Sequence, residues 1–439
     1  MVMILLPTWV GAQVQINDYK LPASGDKSNF ITYVLPNITG LTLPMDWSFI
    51  DNCTSALKPC SQQGLAYNWT NFDATFAPYT VGPCFAGHPS PCTCAGGVPC
   101  KINFEVNAAT GATANSATPP YVFSDTPNWA ASCPSVGKVP ACTSTTTPVD
   151  VCFCSAYTGL AGSPSNTCVN ARTPSSNTSG VPASWETPFQ SAYLGFVQQV
   201  IQHYSTVSWH SQVGYIRFGM GVGGGGALPC YQEETGAVGT PPTPPLNLSI
   251  WGVFASNLFS YATQQAPSPL IIESSGYGGS FGTTTAWADA IANNSIPYGA
   301  GYGAESLAFH DMVLYSQAQP CSNDWCSIFN SYFGFAPILG LQTISSSADA
   351  NCNADPGPAN SCSFVYIMPF AIQRHANVLE ISSVDLLCAF YPVYGGGTCT
   401  QNAPANGWAS VLLAALANEP ASTSAISGLA WLSGGLRLP

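Results

Sequence analysis

The chain has 439 residues, which is enough for one large domain with insertions or for two domains. Only 7% of the residues are charged, and 21 acidic residues against nine basic ones give a net charge of −12. Phosphate backbones are bound through clustered lysine and arginine, so this balance excludes a nucleic-acid-binding protein. Every apolar run of about 18 residues is interrupted by proline or polar residues, so we expect no transmembrane helix and no membrane partner.

Cysteine content and glycosylation motifs together favour an oxidising, extracellular compartment. The 18 cysteines are an even number, and six sites fit the Asn-x-Ser/Thr pattern. Residues 1–12 resemble the end of a signal peptide, because a short apolar stretch precedes small residues. We therefore expect a secreted glycoprotein in which residues 13–439 form a single domain. The six sites are Asn37, Asn52, Asn68, Asn177, Asn247 and Asn293.

The cysteine spacing indicates local disulfides rather than a metal site. Zinc sites use tight Cys-x-x-Cys pairs, and neither Cys92-Thr-Cys94 nor Cys152-Phe-Cys154 has that spacing. We therefore expect no metal and no other cofactor. Connectivity cannot be deduced from sequence, so the local pairs are hypotheses. They are Cys53 with Cys60, Cys133 with Cys142, Cys321 with Cys326, Cys352 with Cys362, and Cys388 with Cys399.

Residues 41–50 (LTLPMDWSFI) are predicted to form the first strand, which ends near Asp46 and Trp47. A polar group beside an aromatic ring is typical of a sugar-binding barrel, but a turn aspartate beside a core tryptophan explains the pair equally well. Residues 101–108 alternate apolar and polar and predict the second strand. Within it, Glu105 faces either the barrel lumen or solvent.

Two cysteine-rich insertions, residues 52–100 and 109–183, lack helical periodicity. The short apolar piece 149–153 within the second insertion is predicted as the third strand. Residues 185–204 then carry an apolar face at helical spacing, and further helices are predicted at 248–263, 287–293 and 407–418. Later strands recur at roughly the spacing of βα units, at 269–274, 296–304, 335–343 and 376–381.

Residues 214–231 (GYIRFGMGVGGGGALPCY) join strand-forming residues to a run of glycines. A backbone without Cβ atoms lets a ligand or another chain segment approach closely. Many α/β barrels present a ligand on a buried strand that ends in a glycine-rich loop at their carboxyl-terminal face. A flexible surface loop is the alternative interpretation of the same residues.

This stretch resembles the fourth-strand motif of the (β/α)8 glycoside hydrolases, and it is most similar to the β-amylase version. The resemblance implies an α/β fold, a (β/α)8 TIM-type barrel with long disulfide-stapled loop insertions. The position of the family's acid glutamate falls on Gly225, which cannot transfer a proton. Glu233 or Glu234 could replace it, or the site has lost its activity. The matching residues are Gly219, Gly221, Gly224, Pro229 and Tyr231.

Glycosidic hydrolysis uses two carboxyl groups, which in a barrel come from the ends of different strands. In retaining members of the largest clan of glycoside hydrolases, the seventh strand supplies the nucleophile. The predicted seventh strand of this chain carries Gln342 instead. We predict Glu273, Glu305 and Glu380 as catalytic residues. Further acidic candidates at strand ends are Asp46, Glu105 and Asp385. The predicted substrate-binding residues are Asp46, Trp47, Gly225, Tyr231 and Gln342.

Three functions fit these features, and the least favoured is a non-catalytic lectin with aromatic platforms in the cleft but no carboxylate pair. The first is a secreted glycoside-hydrolase-like glycoprotein that binds and hydrolyses a polysaccharide or oligosaccharide at the carboxyl-terminal mouth of the barrel. The second is a catalytically degenerate barrel that associates with itself into an extracellular coat or filament. The missing carboxylates at Gly225 and Gln342 favour the second function, as does the low charge, which weakens repulsion between copies.

Overall fold

The structure is a computed structural model that describes residues 14–52, 60, 66–85, 87–88, 90–109, 117–119, 153–154, 181–182, 187–221, 248–277, 284–305, 325–342, 371–372 and 375–391. Eight parallel strands close into a barrel, each paired with its neighbours in chain order and the last paired with the first. Helices alternate with the later strands, so the predicted (β/α)8 TIM-type barrel is confirmed. The strands are β1 Gln15–Tyr19, β2 Gly40–Asp46, β3 Lys101–Asn107, β4 Val213–Phe218, β5 Ile271–Tyr277, β6 Gly301–Glu305, β7 Leu339–Gln342 and β8 Val378–Ser382.

The first three strands differ from the sequence prediction. β1 has no counterpart in it, because Asn17 and Asp18 give this strand polar residues where an apolar pattern is expected. The predicted first and second strands are β2 and β3. The predicted third strand is wrong: residues 149–152 lie outside the described residues, and Phe153–Cys154 pairs antiparallel with Val181–Pro182 outside the barrel. Strands β4 to β8 occur where the sequence indicated.

The longer helices pack on the outside of the barrel. The helices predicted at 185–204, 248–263 and 287–293 are confirmed, whereas the one predicted at 407–418 lies outside the described residues. Shorter helical turns cover β1 to β3: Lys27–Asn29, Phe30–Val34 (a π-helix), Leu35–Asn37, Trp47–Ile50, Trp69–Asp73 and Ala77–Thr80. The longer helices are α1 Thr187–Thr206, α2 Leu248–Gln265, α3 Thr284–Ser295, α4 Trp325–Tyr332 and α5 Ser383–Phe390.

Each strand places alternate side chains on the lumen and on the helical layer. On the helical side the core is apolar and aromatic, as where Phe104 of β3 stacks on Tyr204 of α1 at 4.0 Å between ring centroids. Inside the barrel, Tyr215, Ile338 and Val378 form a small cluster towards the amino-terminal ends of the strands. Most of the remaining lumen side chains described below are polar, unlike the branched apolar layers that usually fill such barrels.

Two disulfides, Cys84–Cys92 and Cys94–Cys100, fasten the segment that leads into β3. Cys60, Cys326 and Cys388 are also disulfide-bonded. Neither of the two resolved pairs was among the predicted ones, and each predicted pair has at least one cysteine outside the described residues. None of the described helices is long and apolar enough to cross a membrane.

Candidate active site

The centre of the barrel holds an arginine surrounded by three glutamates. Arg217 of β4 points into the lumen, where its side chain is completely buried. Its Nη1 atom donates to Glu380 of β8 at 2.8 Å and to Glu105 of β3 at 3.3 Å, and its Nε atom donates to Glu273 of β5 at 3.0 Å. The three carboxylates, from three different strands, therefore meet on one guanidinium group.

Further lumen side chains fix the positions of these carboxylates. The hydroxyl of Tyr215 donates to Oε1 of Glu380 and lies 3.1 Å from the hydroxyl of Thr42. Gln342 of β7 donates from Nε2 to Oε2 of Glu105 at 2.9 Å. These neighbours come from β2, β4 and β7, so the polar network spans most of the barrel.

Two glycines make room for the charged groups. A Cβ atom on Gly303 of β6 would lie 2.6 Å from Nε of Arg217, and one on Gly340 of β7 would lie 2.8 Å from Oε1 of Glu273. Any side chain at either position would collide with the cluster. Oε1 of Glu273 and Nη2 of Arg217 have no hydrogen-bond partner among the described residues, so each retains the capacity for one.

The electrostatics of the cluster are set by burial and by an excess of negative charge. Burial raises the pKa of Glu273 to about 7, with Arg217 lowering it and the other two glutamates raising it. Burial likewise raises the pKa of Glu105. Burial lowers the pKa of Arg217, but the surrounding carboxylates outweigh this and keep it above its ordinary value. Near neutral pH the cluster therefore contains a charged arginine and a partly protonated Glu273.

This arrangement can perform acid–base chemistry. A group with a pKa near the working pH can give up and regain a proton efficiently, and Glu273 has that property. Glu380 accepts hydrogen bonds from Arg217 and Tyr215, which suits an ionised carboxylate because that form is an acceptor only. Two carboxyl groups with different environments are the usual means of assigning separate acid and base roles.

The structure brings together two of the three predicted catalytic residues, Glu273 and Glu380. The third, Glu305, ends β6, and its side chain lies outside the described residues. Among the predicted substrate-binding residues, Gln342 lies in the lumen network. Gly225 and Tyr231 lie outside the described residues.

Asp46 and Trp47, predicted side by side at a strand end, point to different surroundings. Asp46 ends β2, is only partly buried and accepts a hydrogen bond from Nδ2 of Asn107 at 3.1 Å. The ring of Trp47 is completely buried and packs on Phe196 of α1 at 5.5 Å between ring centroids. The structure therefore places Asp46 at the mouth and Trp47 in the core.

Of the other acidic candidates, Glu105 faces the lumen, which decides between its two predicted orientations. Asp385 is buried in the first turn of α5, and Glu233 and Glu234 lie outside the described residues. Arg217 was not among the residues predicted from the sequence. The signal was present, because a cation inside an apolar strand stands out in a chain with nine basic residues.

No protein-family model matches the chain, and its sequence matches no curated protein. Among the described residues no group of three or more side chains is arranged to hold a metal ion. The features of this chain that bear on function are therefore the geometry of the lumen cluster and the fourth-strand motif.

Proposed function

We propose that the chain is a secreted glycoside-hydrolase-like glycoprotein that binds a polysaccharide at the carboxyl-terminal mouth of the barrel and hydrolyses it. The observation that carries this proposal is the meeting of Glu273 and Glu380 on the guanidinium group of Arg217. Hydrolases of this kind hold their carboxyl groups about 5 Å apart when retaining and roughly 6.5–9.5 Å apart when inverting. Here Glu273 lies 3.0 Å from Nε and Glu380 lies 2.8 Å from Nη1 of the same guanidinium group.

In this proposal Glu273 is the general acid and Glu380 is the nucleophile or base. A pKa of about 7 leaves a useful fraction of Glu273 protonated near neutral pH, so it can protonate the leaving oxygen. Arg217 and Tyr215 orient Glu380 through hydrogen bonds. Oε1 of Glu273, which has no partner among the described residues, offers a lone pair to a substrate hydroxyl or the leaving oxygen.

The mouth of the barrel supplies the binding groups. Asp46 offers a partly exposed carboxylate beside Asn107, and Gln342 lies in the lumen network, where it donates to Glu105. The fourth-strand resemblance adds Gly225 and Tyr231 to the same cleft. Disulfides in the chain, together with six glycosylation motifs, support export to an oxidising compartment with N-linked glycans attached.

The test is release of reducing sugar from a panel of glucans and other polysaccharides by the secreted protein. Glu273→Gln and Glu380→Gln should each lower kcat by at least about 100-fold, the usual contribution of general acid–base groups. Asp289→Asn, which removes a half-buried carboxylate from the outer helix α3, is the matched control and should retain activity. Absence of activity on every polysaccharide, or full activity of both glutamine variants, would contradict the proposal.

The structural function has its own support, because all three carboxylates of the cluster are completely or almost completely buried. In addition, three aromatic rings are exposed on the loops that precede β6 and β7, at the amino-terminal end of the barrel. Phe335 is 79% exposed, and Tyr298 and Phe333 are each 46% exposed. Apolar rings exposed at the same end of the barrel are candidates for an association surface.

Light scattering over a range of protein concentrations separates the two functions. A coat or filament protein should grow in mass with concentration, and Phe335→Ser should reduce that growth. A monomer that releases sugar favours the hydrolase, whereas an inactive chain that assembles favours the structural role.

A further inference from the structure

Glu105 is the one carboxylate of the lumen cluster to which the proposed reaction assigns no role. It is 1% exposed, and its Oε2 atom lies 3.3 Å from Nη1 of Arg217, the same nitrogen that contacts Glu380. Burying a third carboxylate beside a single cation costs folding free energy, unless hydrogen bonds and opposite charges compensate its desolvation. Its position therefore calls for an explanation beyond barrel packing.

We propose that Glu105 is a positioning residue that keeps the proton of the cluster on Glu273. It does so by adding a second negative charge that no cation balances, and by accepting a hydrogen bond from the Arg217 guanidinium group that would otherwise stabilise the other carboxylates. The inference rests on the proposed hydrolase function for its role in catalysis. Its electrostatic content stands apart from that function and can be measured without a substrate.

The physical reason is the charge balance of a closed lumen. Three ionised carboxylates beside one guanidinium would leave two negative charges without a partner. Like charges at short range disfavour ionisation, so the group with the weakest compensation keeps its proton. Glu273 has a single hydrogen bond from the cluster, whereas Glu105 accepts from Arg217, Gln342 and Tyr19. Ionised Glu105 therefore opposes ionisation of Glu273.

Among the residues that the structure describes around Glu273 and Glu105, no cation other than Arg217 dominates this charge balance. From β4 the titratable groups are Arg217 and Tyr215, and from β8 there is Glu380. From β1 the hydroxyl of Tyr19 lies 3.3 Å from Oε1 of Glu105, and Lys20 acts on Glu105 as its weakest influence. On the other strands Thr42 and Gln342 are uncharged, Gly303 and Gly340 carry no side chain, and the side chain of Glu305 lies outside the described residues.

The experiment is a carbon-13 NMR titration of the Glu273 carboxyl carbon in the full-length protein. Its resonance is assigned by its disappearance in Glu273→Gln. In Glu105→Gln the midpoint of this titration should fall by about one pH unit or more, because a like charge has been removed. Glu105→Asp keeps the charge and should restore a midpoint close to that of the wild type.

Two further variants keep the test decisive if Glu105→Gln does not fold. Tyr19→Phe removes one hydrogen bond to Glu105 from a half-buried position and should lower the same midpoint by a smaller amount. Asp289→Asn removes a charge outside the barrel and should leave it unchanged. An unmoved midpoint in the folded Glu105 or Tyr19 variants would overturn the inference.

The outcome is separable from that of the proposed function. If the chain releases no sugar but the midpoint falls, the hydrolase proposal fails and the electrostatic coupling stands. If the chain is active and the midpoint does not move, the inference fails and the hydrolase proposal stands. If both hold, the alkaline limb of kcat/KM against pH should move down with the NMR midpoint in Glu105→Gln.

Discussion

Arg217 is the residue that compensates the buried negative charge of the lumen. Three glutamates contact its side chain, and no other lysine or arginine contacts them among the described residues. Removing one partner of a buried ion pair leaves the other charge uncompensated, which costs more than the pair itself contributes. Arg217 therefore determines whether the folded barrel remains stable with three glutamates buried in its lumen.

We expect Arg217→Met to lower the free energy of unfolding by about 3–5 kcal/mol, because it keeps the volume but leaves buried carboxylates without a cation. Chemical denaturation followed by circular dichroism measures this loss. Lys101→Met is the matched control. Among the described residues that side chain donates only to the carbonyl of Ser211 near the surface, and its loss should cost about 1 kcal/mol. Equal stability of the two variants would show that Arg217 does not hold the cluster.

At the scale of elements, β6 and β7 form the wall of the barrel in which glycines face the charged cluster. Gly303 and Gly340 are neighbours across the two strands, and both approach the charged side chains of β4 and β5 directly. The length of Arg217 requires this space, because the guanidinium reaches across the lumen to β8. The glycines therefore belong to the site as much as the residues that carry charge.

Gly303→Ala should lower the free energy of unfolding by about 1–3 kcal/mol, since its Cβ would lie 2.6 Å from Arg217 and overpack the lumen. Gly195→Ala is a matched control on α1, where nothing lies within 4 Å of the added Cβ. There alanine favours the helix, so stability should rise by about 0.5–1 kcal/mol. The midpoint temperatures of thermal unfolding of the two variants should change in opposite directions relative to the wild type. A Gly303→Ala variant as stable as the wild type would exclude tight packing at this wall.

For the whole molecule, the pH dependence of the stability of the fold is set by carboxyl groups that folding buries. Burial raises the pKa of Asp18, Glu105 and Glu273. Asp18 lies on the helical side of β1, and neither of its carboxyl oxygens has a hydrogen-bond partner among the described residues. Each of these carboxyls ionises at lower pH in the unfolded chain than in the folded one, so all three influence stability with the same sign.

We therefore expect the free energy of unfolding to fall as pH rises from about 4, the unfolded value for carboxyls, through 7, where Glu273 ionises in the folded state. The loss should amount to a few kcal/mol between pH 5 and pH 8. Asp18→Asn cannot ionise, so its stability relative to the wild type should be greater at pH 8 than at pH 5. Urea unfolding at the two pH values measures both effects, and a wild type more stable at pH 8 would contradict them.

Parts of the fold follow from the sequence because they depend on local patterns. The apolar face of residues 185–204 predicted α1, and the strands from 214 onwards recurred at the spacing of βα units. β1 escaped prediction because its residues Asn17 and Asp18 are polar but buried in the closed barrel. The third strand was misplaced for the opposite reason, since an apolar piece at 149–153 imitates a barrel strand but forms part of a separate pair.

By itself the sequence determined the barrel class, the position of its later strands and an acidic chain with few cations. It also allowed Glu273 and Glu380 to be predicted as catalytic candidates on strands. Only the tertiary structure decided that they meet, together with Glu105, on Arg217, which is 56, 163 and 112 residues away from them respectively. Barrel closure brings such distant strands together, and the direction of each side chain and the burial that raises the pKa of Glu273 exist only once the sheet has closed.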